Sequence, residues 1–96
     1  MNLNEQQLEE IKELASLLLE PEEIAVLMDI DTISFFDEIE SRKGKVYQAY
    51  FRGKTETKKA ILENVIKMAR HGSPQAEELT KEFMHKQNLA EKRGRK

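Results

Sequence analysis

Residues 20–36 constrain the fold more than any other stretch: Glu-Pro-Glu-Glu-Ile-Ala-Val-Leu-Met-Asp-Ile-Asp-Thr-Ile-Ser-Phe-Phe. Proline suits the first turn of a helix, where its missing N–H costs nothing and its fixed φ already matches. The spacing predicts a helix from Pro21 to Met28 with Ile24, Ala25, Leu27 and Met28 on one face. Asp29 and Asp31 interrupt that pattern. A second helix is expected near Thr32, capped by Asp31 or Thr32 through a side-chain oxygen that accepts from a free backbone N–H. Two short helices joined by so tight a turn have two readings: a helix-turn-helix, or an αα-hairpin inside an ordinary helical bundle.

The periodicity elsewhere is also helical. A first helix is expected over 6–19, with Asn4 as its cap, Gln7 as the reciprocal partner, and Leu8, Ile11, Leu14, Ala15 and Leu18 as its apolar stripe. The helix after the turn should cover 33–41, with Phe35, Phe36 and Ile39 apolar. Arg42-Lys43-Gly44-Lys45 reads as a basic loop in which Gly44 is free to take a positive φ. A long helix over 46–70 follows, with Val46, Tyr50, Ala60, Ile61, Val65, Met68 and Ala69 supplying much of its buried side. Gly53 weakens the interior of such a helix by about 1 kcal/mol, so either the helix bends there or another backbone comes close. Gly72 should stop this helix in a left-handed conformation, and Ser73-Pro74 should start the next. That last helix carries Ala76, Leu79, Phe83 and Met84 and is expected to fade near Leu89. The expectation is an all-α fold: one helical domain over 1–89 in which a helix-turn-helix half is followed by a long and a final helix packed as a small bundle, then a flexible basic tail over 90–96.

The chain has no cysteine, which excludes a disulfide framework, a zinc finger and thiol chemistry. Its longest apolar runs, Leu17-Leu18-Leu19 and Ile24 to Met28, are far short of a membrane span, and its beginning lacks the basic flank of a signal peptide. A soluble, intracellular protein is expected. Charge is most telling in its distribution. Residues 1–40 hold twelve carboxylates and one lysine, whereas residues 41–96 hold fifteen cations and six carboxylates. A net charge of −2 therefore hides an acidic half and a basic half. Such asymmetry suits either a surface for nucleic acid or an acidic partner, or pairing of the two halves within or between copies.

The order of these parts carries a resemblance. A helix and the Pro21-Glu22-Glu23-Ile24-Ala25 turn region precede Ala49-Tyr50-Phe51-Arg52-Gly53-Lys54, and a long helix then ends in Met68-Ala69-Arg70-His71-Gly72-Ser73-Pro74-Gln75-Ala76. Over about residues 10–86 this resembles the small helical proteins of tailed bacteriophages and prophages that are similar to the terminase small subunit. The resemblance implies a protein of the bacterial host cytoplasm that recognises double-stranded viral DNA, assembles as a homo-oligomer and hands the DNA to the large subunit of the packaging motor.

One segment departs from an ordinary DNA reader. The helix that would enter the groove, Thr32 to Ser41, holds three carboxylates and no cation, and phosphate contact needs cations. Thr32 and Ser34 at its start remain candidates for base contact. The cations lie further on: Arg42, Lys43 and Lys45 in the loop, Lys45, Arg52 and Lys59 spaced by seven along the long helix, and Lys54 and Lys58 spaced by four on what reads as a neighbouring stripe. Tyr47 is near enough to Lys45 and Arg52 to pack on a sugar or base. Gly53-Lys54-Thr55 imitates the end of a phosphate-binding loop, but position 48 is glutamine and the segment reads as helix. His71 and His85 share no evident site, and no pair of glutamates is placed to tune a proton donor. No enzyme, metal or cofactor is expected. The leading expectation is a DNA-packaging adaptor. A helical interaction module without DNA binding and a helix-turn-helix transcription regulator are the alternatives.

Overall fold

The computed structural model describes residues 1–94. The protein is all-α, with five helices among the described residues: α1 (Glu5–Ser16), α2 (Pro21–Leu27), α3 (Thr32–Glu40), α4 (Gly44–Arg70) and α5 (Pro74–Gly94). It divides into two compact units, Met1–Lys59 and Ala60–Lys96.

Helix starts follow local chemistry. Asn4 accepts from the Gln7 N–H at 2.8 Å while the Gln7 side chain accepts from the Asn4 N–H at 3.0 Å, a complete capping box. Pro21 opens α2, where Glu23 accepts from the Glu20 N–H at 2.9 Å. Asp31, rather than Thr32, caps α3. Ser73 caps α5, accepting from the Ala76 N–H at 3.3 Å, with Pro74 in its first turn.

Helix ends depart from expectation in a consistent way. Leu18, Asp29 and Arg42, each just past a helix, take φ of 63°, 54° and 57°. A left-handed residue there turns the next N–H back onto the last carbonyls, the usual role of glycine. At α2 the Asp29 N–H donates to the Val26 carbonyl and the Ile30 N–H to the Ala25 carbonyl. Gly72, at φ 88°, does the same for α4, as its sequence position predicts. The early stop at Leu18 ends α1 at Ser16 instead of Leu19 and leaves Leu18 exposed rather than in the apolar stripe.

In the first unit Ile11 and Ala15 of α1, Ile24 and Ala25 of α2, Phe35 of α3, and Val46 and Tyr50 of α4 form one buried cluster. Leu8, Leu14, Met28 and Ile39 pack around it. Leu27, expected inside, and Phe36 are exposed instead. Gly53 resolves the choice between a bend and a close approach. A Cβ there would overlap the Lys12 carbonyl oxygen and lie 3.0 Å from the Ala15 Cβ, so α4 crosses α1 with backbone almost touching backbone. One turn on, the Thr57 hydroxyl donates to the Ser16 carbonyl at the end of α1, satisfying an acceptor that the helix itself leaves open.

The second unit comprises the end of α4 and α5. Ala76 is buried, and Leu62, Val65, Ala69, Ser73, Thr80 and Phe83 are half-buried. Ala60, Ile61 and Met68, expected on the buried side, are exposed, as are Leu79 and Met84. α5 runs to Gly94, five residues past Leu89, so 90–94 are helical where a flexible tail is expected; Arg95 and Lys96 lie outside the described residues.

Candidate nucleic-acid interface

The first half of α4 presents opposite sides to core and solvent. Val46, Tyr50, Gly53 and Thr57 recur at helical spacing on the inward side, where they meet the cluster and α1. Every cation of residues 42–59 is exposed: Arg42, Lys43, Lys45, Arg52, Lys54, Lys58 and Lys59. Glu56 is the one carboxylate in that stretch of sequence.

The cations form two flanks. At about 100° per residue, Lys45, Arg52 and Lys59 fall on one line, and Lys54 and Lys58 fall roughly 140° around the helix from it. The second line is therefore not a neighbouring stripe of the first: the same spacing sets the two apart, and the buried positions of Val46, Tyr50 and Gly53 place the outward crest between them. Gln48, Phe51 and Thr55 occupy the crest between them and are exposed. Gln48, Phe51, Arg52, Thr55 and Lys59 line one shallow groove along this side.

Local contacts hold several of these side chains. The Arg52 Nε donates to Glu56 at 2.9 Å, an i,i+4 pair along the helix. The Lys54 ammonium lies 5.5 Å from the Tyr50 ring centroid, a cation–π contact. The Tyr47 and Phe51 rings stack, with centroids 5.5 Å apart and planes 13° from parallel. No ion pair among the described residues engages Arg42, Lys43, Lys45 or Lys58. Ser41 shapes the loop, its hydroxyl donating to the Glu38 carbonyl at 2.7 Å.

Thr32 and Ser34 belong to a different surface. Ser34 donates both its N–H and its hydroxyl to Asp31 Oδ2, each at 2.9 Å. These bonds, the backbone one first, hold the Asp31 carboxyl below its ordinary value of 3.8 and outweigh the small opposing effect of burial. The start of α3 thus carries a firmly ionised carboxylate on the N–H groups that would otherwise meet a phosphate. Thr32 is half-buried beside Ile33, Phe36 and Pro21, which line a shallow apolar depression edged by Glu20 and Glu22. Ile33 is 73% exposed.

Sequence reasoning singled out the cations and Tyr47 but passed over Gln48, Phe51 and Thr55. Their signal is present: Gln48 and Thr55 are seven apart, and Phe51 is one turn from Tyr47. It becomes readable once the inward face of α4 is known. Gly53-Lys54-Thr55 lies inside α4, where Gly53 serves the crossing with α1. Among the described residues no group of three or more histidines and carboxylates is arranged to hold a metal ion, and no helix is long and apolar enough to cross a membrane. No protein-family model matches the chain, and neither the curated proteins nor the solved structures contain a match to it.

Proposed function

We propose that this chain is a DNA-binding adaptor of the terminase-small-subunit kind, which docks on duplex DNA through the α3–α4 loop and the first half of α4, and acts as an oligomer that delivers DNA to a packaging motor. The observation that carries the DNA-binding part is the solvent side of residues 42–59. Seven cations face one carboxylate there, and Arg42, Lys43, Lys45 and Lys58 carry no acidic partner among the described residues. Such a surface attracts a polyanion and releases its counterions. The delivery role rests on the resemblance in motif order. Oligomerisation draws support from the second unit, whose Ile61, Ile66, Met68, Leu79 and Met84 are exposed while Ala76 alone is buried among its described residues. A unit with so small a buried core gains stability by packing against another surface.

A second reading has its own observation. Ile33 and Phe36 expose apolar area within an acidic rim on α3. That favours a protein contact for this helix and is compatible with DNA docking by α4.

The test is anisotropy of a labelled random-sequence duplex titrated with the full chain across a range of salt. About five phosphate contacts give a log–log salt slope near −4.5, and replacing Lys45, Arg52, Lys54 and Lys58 by glutamine should flatten it by about 3.6. Absence of binding at low salt would overturn the DNA reading and promote the protein-contact one.

A further inference from the structure

We infer that α4, not α3, enters the major groove, with Gln48, Phe51 and Thr55 facing the bases and the two cation lines reaching the phosphates on either wall. The inference rests on the DNA-docking reading above and adds to it which element reads sequence and which bases it prefers.

Four observations combine. First, the crest is free: Gln48, Phe51 and Thr55 are exposed and lie opposite the buried side of α4. Second, the cations flank the crest instead of covering it. A helix lying in the major groove turns its crest to the base edges and its sides to the two phosphate rows, so cations roughly 140° apart around a helix match both walls of a groove about 12 Å wide. Third, the crest has the right chemistry. Glutamine can bond adenine in bidentate fashion, and threonine and phenylalanine suit the thymine methyl group. The Tyr47 stack holds Phe51 on that side, and the crossing of α1 at Gly53 fixes the helix from behind. Gln48 and Thr55 are about 10 Å apart along the axis, roughly the rise of three base pairs. Fourth, α3 is unsuited to the task. It carries Asp37, Glu38 and Glu40 without a cation, and its first turn is occupied by Asp31 through both donors of Ser34.

The preferred site is therefore a short A·T-containing step read in the major groove. Three versions of the full chain should be used to select sites from a random duplex pool: the native chain, a Gln48→Ala/Thr55→Ala variant and a Ser34→Ala variant. All three changes fall on exposed side chains, and circular dichroism checks that each variant keeps its helices. The expected result is that the native chain and Ser34→Ala enrich the same adenine- or thymine-containing step. Gln48→Ala/Thr55→Ala should lose that preference by about fivefold or more while keeping its salt slope on random duplex. Enrichment retained by the crest variant but lost by Ser34→Ala would overturn the inference and return base reading to α3. Salt-dependent binding without any enrichment would overturn it in favour of phosphate contact alone, leaving the docking reading intact. No binding at all would overturn both.

Discussion

Gly53→Ala opposes two effects of known size, and the structure decides between them. Inside an exposed helix the change would stabilise by about 1 kcal/mol, because alanine loses less backbone freedom than glycine. At position 53 the new Cβ would overlap the Lys12 carbonyl oxygen and stand 3.0 Å from both the Lys12 carbonyl carbon and the Ala15 Cβ. None of those atoms can be moved by a change of rotamer, so α1 and α4 must part, stretching the contact between Thr57 and Ser16 as well. Overpacking of this kind costs about 1–3 kcal/mol and lies at the upper end where backbone is involved. The net expectation is a loss of about 2 kcal/mol. For a unit of this size that lowers Tm by about 8–16 °C. Thermal unfolding followed by far-ultraviolet circular dichroism reads the shift. Gly94→Ala is the matched control, because nothing lies within 4 Å of its Cβ position, and its Tm should not fall. A Gly53→Ala protein as stable as the native one would refute the close crossing of α1 and α4.

Other expectations follow from the same structure. Phe35, with no exposed area, joins α3 to the cluster; Phe35→Ala should cost about 3–5 kcal/mol, and an unchanged Tm would remove Phe35 from the core. Asp31 is held below its ordinary pKa in the folded chain, so its contribution is fully present above the unfolded value and is lost as pH falls through the folded one. The Tm advantage of the native chain over Asp31→Asn should shrink on acidification, and a constant difference from neutral pH to pH ~3 would contradict the cap. Light scattering behind a sizing column should give a multiple of 11.2 kDa at micromolar concentration. A monomer mass would remove the self-association reading.

Helix starts were legible because their causes are local. Asn4 with Gln7, Asp31, and Ser73-Pro74 each supply a cap within three residues of the helix they begin. Helix ends at Leu18, Asp29 and Arg42 were not, since a left-handed stop without glycine is set by what the following residues pack against rather than by the residue itself. The partner of Gly53 was out of reach for a similar reason: Lys12 and Ala15 are some forty positions away in the chain. Apolar spacing alone could not tell that Leu62 turns inward while Ile61 and Met68 stay exposed, because α4 has apolar residues on more than one side. At the candidate interface the line of Lys45, Arg52 and Lys59 could be read from its spacing of seven. The separation of Lys54 and Lys58 from that line follows from the same helical spacing; that the side between them, with Gln48 and Thr55, is the outward crest depended on knowing which way Val46 and Tyr50 point.

The most direct test of DNA docking by α4 is a map of backbone amide shifts in the full chain as a short duplex is added. The expected perturbations gather at residues 42–59, with Thr32–Glu40 nearly still. Perturbations centred on Thr32–Glu40, or none anywhere at low salt, would contradict the assignment of α4 as the DNA-facing element.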